Sequence, residues 1–315
     1  MPEIDRVLIV GAGTMGHALA LLFAKGGFEV QLVDKDPDAL EKAIALIDSA
    51  RKTLLKAGFM SPREEEEISK RINATEDLVV AAKNADLAIE TVDEDPATKK
   101  QVFALLDLYC PKHTILASNT SGLNIFNIIN IRRPGQVLIT HFFAPPYIIP
   151  LVEVVPGPYT EREVIDTVIQ LLKSLGKEPL LLKQYIPGFI VNRIQRAISR
   201  EAFSLVEHNY ASIEDVDNAI KASLGIRLPV VGILQTYDFT GLDAYYKICQ
   251  EDPIELAASS GPPPIVREKV ERGELGIKTG KGLYDYSGKK REEVLERRDL
   301  NYINILRALK DNVPL

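Results

Sequence analysis

His141 and Glu153 are the residues whose types and spacing most directly suggest chemistry. The imidazole follows an apolar run, Val137 to Thr140. The carboxylate comes twelve positions later, inside Leu151-Val-Glu-Val-Val155. A carboxylate in an apolar strand needs a partner, because burying it unpaired is expensive. A histidine one strand away meets that need. Glu153 would then fix the imidazole tautomer and raise its basicity, so that His141 removes a hydroxyl proton while a hydride leaves the same carbon. For His141 alone the alternative is a satisfied structural histidine, which the flanking Phe142-Phe143 would also fit. Ser121 lies just past another apolar run, and Asn192 follows Pro187-Gly188, where helix capping is its alternative role.

A departing hydride needs an acceptor, and the N-terminal segment offers a site for one. Gly11-Ala-Gly13-Thr14-Met15-Gly16 follows a strand-like run, Val7-Leu-Ile-Val10, and opens a helix-like one. In that context Gly11 permits a tight turn, Gly13 lets the backbone approach a pyrophosphate, and Gly16 lets helix and strand pack closely. The helix N-terminus adds unpaired N–H groups for the phosphates. Asp34 ends the next strand, 23 positions after Gly11. A carboxylate there accepts hydrogen bonds from ribose hydroxyls and repels a 2′-phosphate, which favours NAD over NADP, although Lys35 is adjacent. An FAD site is disfavoured by the small helical region that follows.

The elements that must position these residues alternate between two periodicities. Strands are expected at 7–10, 30–33, 87–89, 114–117, 137–140, 151–155 and 180–182. Helices are expected at 15–25, 38–56, 97–108 and 161–175. Strands alternating with crossover helices predict an α/β, Rossmann-type, mostly parallel sheet with helices on both faces. After Ile186-Pro-Gly188 the pattern turns helical, with expected helices through Ile190–Val206, at 213–222 and at 234–249. The expected domains are therefore 1–185, binding the dinucleotide, and 186–315, all-helical and smaller. Glu64 to Glu67 reads as a solvated helix face and Ser260 to Pro264 as a loop.

Composition bounds the function classes. The chain has 315 residues, 46% hydrophobic and 26% charged, as in globular proteins. Its net charge of −6 disfavours nucleic acid as the main partner. No apolar run reaches the ~18–20 residues of a membrane helix. The two cysteines, Cys110 and Cys249, have no metal or disulfide spacing. The N-terminus reads directly into a strand, and the expectation is a cytoplasmic protein.

The chain resembles the 3-hydroxyacyl-CoA dehydrogenase superfamily. The resemblance is carried by the glycine turn, Ser118-Asn119-Thr-Ser121, His141-Phe-Phe-x-Pro145, Leu151-Val-Glu153, Gly188-Phe-Ile-Val-Asn192-Arg193, Gly241-Leu-Asp243 and Gly276-Ile-Lys-Thr-Gly-Lys-Gly-Leu-Tyr284, in the family's order. It implies NAD-linked interconversion of an L-3-hydroxyacyl-CoA, short-chain by expectation, with its 3-ketoacyl-CoA. It implies that the histidine matching His141 is the base and the glutamate matching Glu153 its partner. By the same resemblance Ser121 and Asn192 lie near the reacting oxygen and nicotinamide, Asn119, Glu94 and Lys99 are cofactor residues, Lys278 reaches the cofactor from the helical domain, and a homodimer forms.

The departures concern substrate. Ala144 stands where the family usually has Asn, and Pro229-Val-Val-Gly232 replaces a Pro-Met-Gly-Pro turn. Pro145-Pro-Tyr-Ile-Ile-Pro150 is similar to the branch acting on small non-CoA acids, such as gulonate 3-dehydrogenase (lambda-crystallin) and pyridine-carboxylate dehydrogenases. A CoA site needs local cations, and Arg51, Lys52 and Lys56 on one helix are candidates beside the acidic Glu64 to Glu67. The alternatives are thus a CoA thioester, a small free acid such as gulonate or carnitine, and a dinucleotide-binding protein that has lost catalysis.

Overall fold

The computed structural model describes residues 4–251, 256–258 and 261–310. Met1 to Glu3 of the N-terminal reading, and Ser260 of the expected loop, lie outside the described residues. The chain divides into two compact units, Met1–Asn192 and Arg193–Leu315.

The first unit is built on one eight-stranded sheet. In chain order its elements are β1 (Arg6–Val10), α1 (Gly16–Lys25), β2 (Glu29–Val33), α2 (Pro37–Lys56), α3 (Pro62–Arg71), β3 (Ile72–Thr75), α4 (Leu78–Ala82), β4 (Leu87–Glu90), α5 (Pro96–Tyr109), β5 (Ile115–Ser118), α6 (Ile125–Ile128), β6 (Val137–Phe142), β7 (Leu151–Pro156), α7 (Arg162–Ser174) and β8 (Glu178–Leu181). The sheet order is β3-β2-β1-β4-β5-β6-β7-β8. All pairings are parallel except β6 with β7, which is antiparallel and sets His141 directly opposite Glu153. The strands read as near-continuous apolar runs because helices cover both faces of such a sheet.

Local chemistry sets the helix starts. Asp36-Pro37, Ser61-Pro62 and Asp95-Pro96 each place a capping oxygen before a proline, whose fixed φ suits the first helical turn. Asp36 accepts from the N–H of Asp38, and Asp95 from that of Thr98. Ser61 forms a reciprocal capping box with Glu64. Glu64 to Glu67 is therefore partly structural, since Glu64 caps α3 and Glu65 pairs with Arg51 at 3.0 Å.

The short elements β3 and α4 were not expected from sequence, whereas α3 carries the helix face expected at Glu64 to Glu67. Ile72-Asn-Ala-Thr75 has no apolar run to announce a strand; it exists because β2 offers it an edge.

The second unit holds α8 (Val191–Glu207), which begins in the first unit, α9 (Ile213–Ala222), α10 (Leu224–Val231), α11 (Gln235–Thr240), α12 (Leu242–Glu251), α13 (Pro264–Glu271) and α14 (Arg291–Lys310). The single helix expected at 234–249 is two, because Gly241 adopts φ 98° and ends α11. Pro264, expected in a loop, opens α13. Among the described residues no helix is long and apolar enough to cross a membrane, and no group of three or more His, Cys, Asp or Glu is arranged to hold a metal.

Candidate active site

The glycine turn shows why each glycine is there. Gly11 has φ 103°, and a Cβ on it would meet the Thr91 carbonyl oxygen at 2.8 Å. A Cβ on Gly16 would meet the Gly11 carbonyl oxygen at 1.7 Å, so the start of α1 is pressed onto the turn. Around Gly13 nothing lies within 4 Å of such a Cβ, which leaves the backbone open to an approaching ligand. Met15, at the start of α1, makes no side-chain cap bond, as suits a helix end that receives phosphate. Thr91, which the sequence reading missed, braces the turn by donating to the carbonyls of Val10 (3.0 Å) and Gly11 (2.9 Å). Asp34 sits at the tip of β2 and accepts from the N–H of Ala12 at 2.7 Å. A turn with close packing at two glycines, open space at the third and a carboxylate beside it fits a dinucleotide.

At the other end of the sheet, cross-strand pairing does the positioning. Because partners in a ladder point to the same face, His141 and Glu153 meet, with Nδ1 of the imidazole 2.8 Å from Oε2. The other carboxylate oxygen accepts from the N–H groups of Ile190 (2.9 Å) and Val191 (3.0 Å), at the start of α8. Gly188 and Phe189 both adopt positive φ, 76° and 51°, and this left-handed turn presents those N–H groups. Burial alone would raise the Glu153 carboxyl. The bonds from His141, Val191 and Ile190 outweigh it and hold the group below the usual carboxylate range. The imidazole is walled by the rings of Phe143 and Phe189, at 4.5 and 5.3 Å.

Ser121 is exposed just beyond β5. Its carbonyl accepts from the Asn192 side-chain amide at 3.0 Å, so Asn192 ties α8 to this loop rather than capping the helix. The Ser121 N–H donates to Glu94 at 2.9 Å. Asn119 is buried, and its side-chain oxygen accepts from the N–H of Phe142 at 2.9 Å, locking β6 beside the loop. Lys99 is buried, with Nζ 2.7 Å from Glu90 and 3.1 Å from Glu94. Glu90 also accepts from the Ser118 hydroxyl at 2.6 Å. Sequence reasoning missed Glu90. Its signal was available, since it ends the apolar run Leu87-Ala-Ile-Glu90 as Glu153 interrupts its own. Burial pushes the Glu90 carboxyl upward against the opposing pull of Lys99.

Lys278 belongs to the second unit, in the segment between Gly276 and Lys281. Ala144 is exposed after β6. Of the cations expected on α2, Arg51 is neutralised by Asp48 (3.1 Å) and Glu65.

A glycine-rich strand–turn–helix with an aspartate at the tip of β2, and a histidine and carboxylate on strands of the same sheet, define an NAD-linked dehydrogenase. Comparison with known proteins refines the class. Residues 6–185 match the family described as 3-hydroxyacyl-CoA dehydrogenase, NAD binding domain, and residues 188–286 its C-terminal domain. The chain belongs to this family and is an NAD-dependent oxidoreductase of that type.

Two relatives differ in substrate. The 5-formyl-3-hydroxy-2-methylpyridine 4-carboxylate 5-dehydrogenase of Mesorhizobium japonicum is 32% identical over 98% of this chain and 99% of its own. A probable 3-hydroxybutyryl-CoA dehydrogenase of Bacillus subtilis is 36% identical over 91% of this chain and 99% of its own. A crystal structure of a 5-formyl-3-hydroxy-2-methylpyridine 4-carboxylic acid 5-dehydrogenase, an NAD+-dependent dismutase, superimposes with a TM-score of 0.88 at 30% identity, covering 99% of this chain and all of that one.

Proposed function

We propose that His141 is the general base for oxidation of a secondary or primary alcohol, with Glu153 as its positioning partner. The observation that carries this reading is the three-point hold on Glu153, which leaves its Oε2 to the imidazole alone. An ionised Glu153 keeps the proton on Nδ1, so Nε2 presents its lone pair to the substrate hydroxyl. NAD, when bound, accepts the hydride from the carbinol carbon. His141 takes the hydroxyl proton, and the imidazolium so formed is stabilised by Glu153. Ser121 and Asn192 act in this reading as the polar groups around the reacting oxygen. Gly11, Gly13, Thr14, Met15, Gly16, Asp34, Glu94 and Asn119 form the cofactor bed. Lys99 supports Glu94.

For the substrate we favour a small carboxylate-bearing alcohol without CoA. The support is the match to the pyridine dehydrogenase over nearly the whole chain, Ala144 in place of a hydrogen-bonding residue, and an Arg51 already paired with two carboxylates. The second reading, a short-chain L-3-hydroxyacyl-CoA, draws on the 36% identity to the Bacillus subtilis relative. NAD-linked turnover with acetoacetyl-CoA, compared with gulonate, carnitine, 3-hydroxybutyrate and a hydroxymethyl-pyridine carboxylate, separates the two. A kcat/KM for the thioester above that for every free acid defeats the favoured reading; inactivity on all of them defeats both.

The apolar faces of the second unit support a homodimer. Leu234, Phe239 and Leu242 are each more than 60% exposed within a single chain.

A further inference from the structure

The cluster of Glu90, Lys99 and Glu94 has a charge arrangement that the proposed mechanism does not use. Lys99 Nζ is within 3.1 Å of both carboxylates. Glu90 and Lys99 are almost completely buried, whereas the Glu94 side chain is 42% exposed. The Glu90 carboxylate, at the end of β4, is fixed by three groups: Lys99, the Ser118 hydroxyl at 2.6 Å and the Val92 N–H at 2.8 Å. Glu94 in turn holds the Thr120 hydroxyl (2.5 Å) and the Ser121 N–H. With both carboxylates ionised, the three side chains sum to one negative charge, and its solvent-facing end is Glu94.

Sheet order places this charge. Asp34 ends β2, and β4 and β5 lie beyond β1 on its other side. In open sheets of this kind the dinucleotide lies across the carboxyl edge, with the adenosine ribose at the acidic residue of the second strand. The nicotinamide half therefore falls toward β4 and β5, where Glu90 and Ser118 end their strands. The oxidised ring carries a positive charge that the reduced ring lacks, so a fixed negative charge nearby binds NAD+ in preference to NADH.

We propose that Glu90 is a positioning residue that consumes the charge of Lys99, leaving Glu94 to bias the pocket toward NAD+ over NADH. The proposal rests on reading Glu94 as a cofactor residue. It is independent of His141 and Glu153, because binding is measured without turnover.

NADH is titrated by its fluorescence and displaced with NAD+. Glu90→Gln keeps an acceptor for Ser118 and removes the charge, so Lys99 then neutralises Glu94. The ratio of the two dissociation constants is expected to move about tenfold toward NADH, with NADH affinity itself changed less than about twofold. Glu94→Gln should move it at least as far in the same direction. Lys99→Met removes the cation, and the ratio should hold or move toward NAD+. A purely structural role would weaken both nucleotides by the same factor. That result, or an unmoved ratio in both glutamine variants, overturns the proposal. If circular dichroism shows Glu90→Gln unfolded, Glu94→Gln decides it alone: a ratio moved toward NADH supports the proposal, and an unmoved ratio overturns it.

Discussion

The sheet unit and the helical unit handle their apolar residues in opposite ways. The central strands β1, β4, β5, β6 and β7 and the inner faces of α1, α2, α5 and α7 bury their aliphatic side chains almost completely, and Phe23 and Phe103 are fully enclosed, whereas the edge strand β8 leaves Leu180 and Leu181 exposed. In the second unit Ile303 is the one buried hydrophobic residue among those described. Helices α9, α10, α11 and α13 bury none, although each carries apolar positions. A sheet covered by its own crossover helices satisfies its faces within one chain. An amphipathic helix without a facing element needs a surface from elsewhere. The first unit is thus self-sufficient in its apolar contacts, whereas the second leaves exposed the apolar residues on which the proposed association rests.

The comparison breaks first at the reacting groups. His141→Ala should lower kcat by ~10²–10⁴ while NADH titration gives a nearly unchanged affinity; a near-normal rate removes the imidazole as base. Glu153→Gln should cost a similar factor, because an amide facing Nδ1 moves the ring proton to Nε2. This variant also carries a pH signature. The Glu153 carboxyl is held below its ordinary value, so its ionised form adds stability that is complete above the unfolded value of ~4.3 and is lost as pH falls through the lower folded one. Thermal melts from pH 7 down to pH 3 should therefore show a shallower acid decline in Glu153→Gln than in the parent; parallel curves contradict the assigned direction.

Association is the next test. Leu234→Glu combined with Phe239→Glu should weaken self-association by ~10² or more, since each places a charge where an apolar contact is expected. Sedimentation velocity reads the outcome, and NADH binding by the first unit should survive. A variant that sediments like the parent shows that these faces do not join two copies.

The smallest effect concerns specificity. Ala144→Asn supplies a side-chain hydrogen bond worth about 0.5–1.5 kcal/mol. It should change the ratio of kcat/KM for acetoacetyl-CoA to that for the best free acid by up to about tenfold. An unchanged ratio makes Ala144 irrelevant to substrate choice.

Much of the frame was legible because its signals are local. The glycine turn, the aspartate at the tip of β2 and the apolar strand runs need only short-range periodicity to be read. β3 and the break at Gly241 were not, the first because an edge strand borrows its order from a neighbour, the second because one glycine interrupts a pattern that is otherwise continuous. Within the site, His141 and Glu153 stood out as polar residues in apolar strands, and the need of a buried carboxylate for a partner pointed to their pairing. Glu90 carried the same kind of signal, and its partner Lys99 lies only nine positions on, but that lysine was assigned to the cofactor by resemblance rather than to Glu90. Lys99 was legible as a residue type, but its two carboxylate partners, Glu90 and Glu94, were not.

The amino-acid order alone determined the nucleotide turn, the strand and helix alternation and the family, because each is written in residue type and local spacing. Only the tertiary structure decided that Ile190 and Val191 hold the far oxygen of Glu153, that Asn192 grips the Ser121 carbonyl and that Lys99 is enclosed by acid. Those contacts join residues up to 71 positions apart. Their existence depends on the antiparallel ladder and on a left-handed turn, which no local pattern encodes.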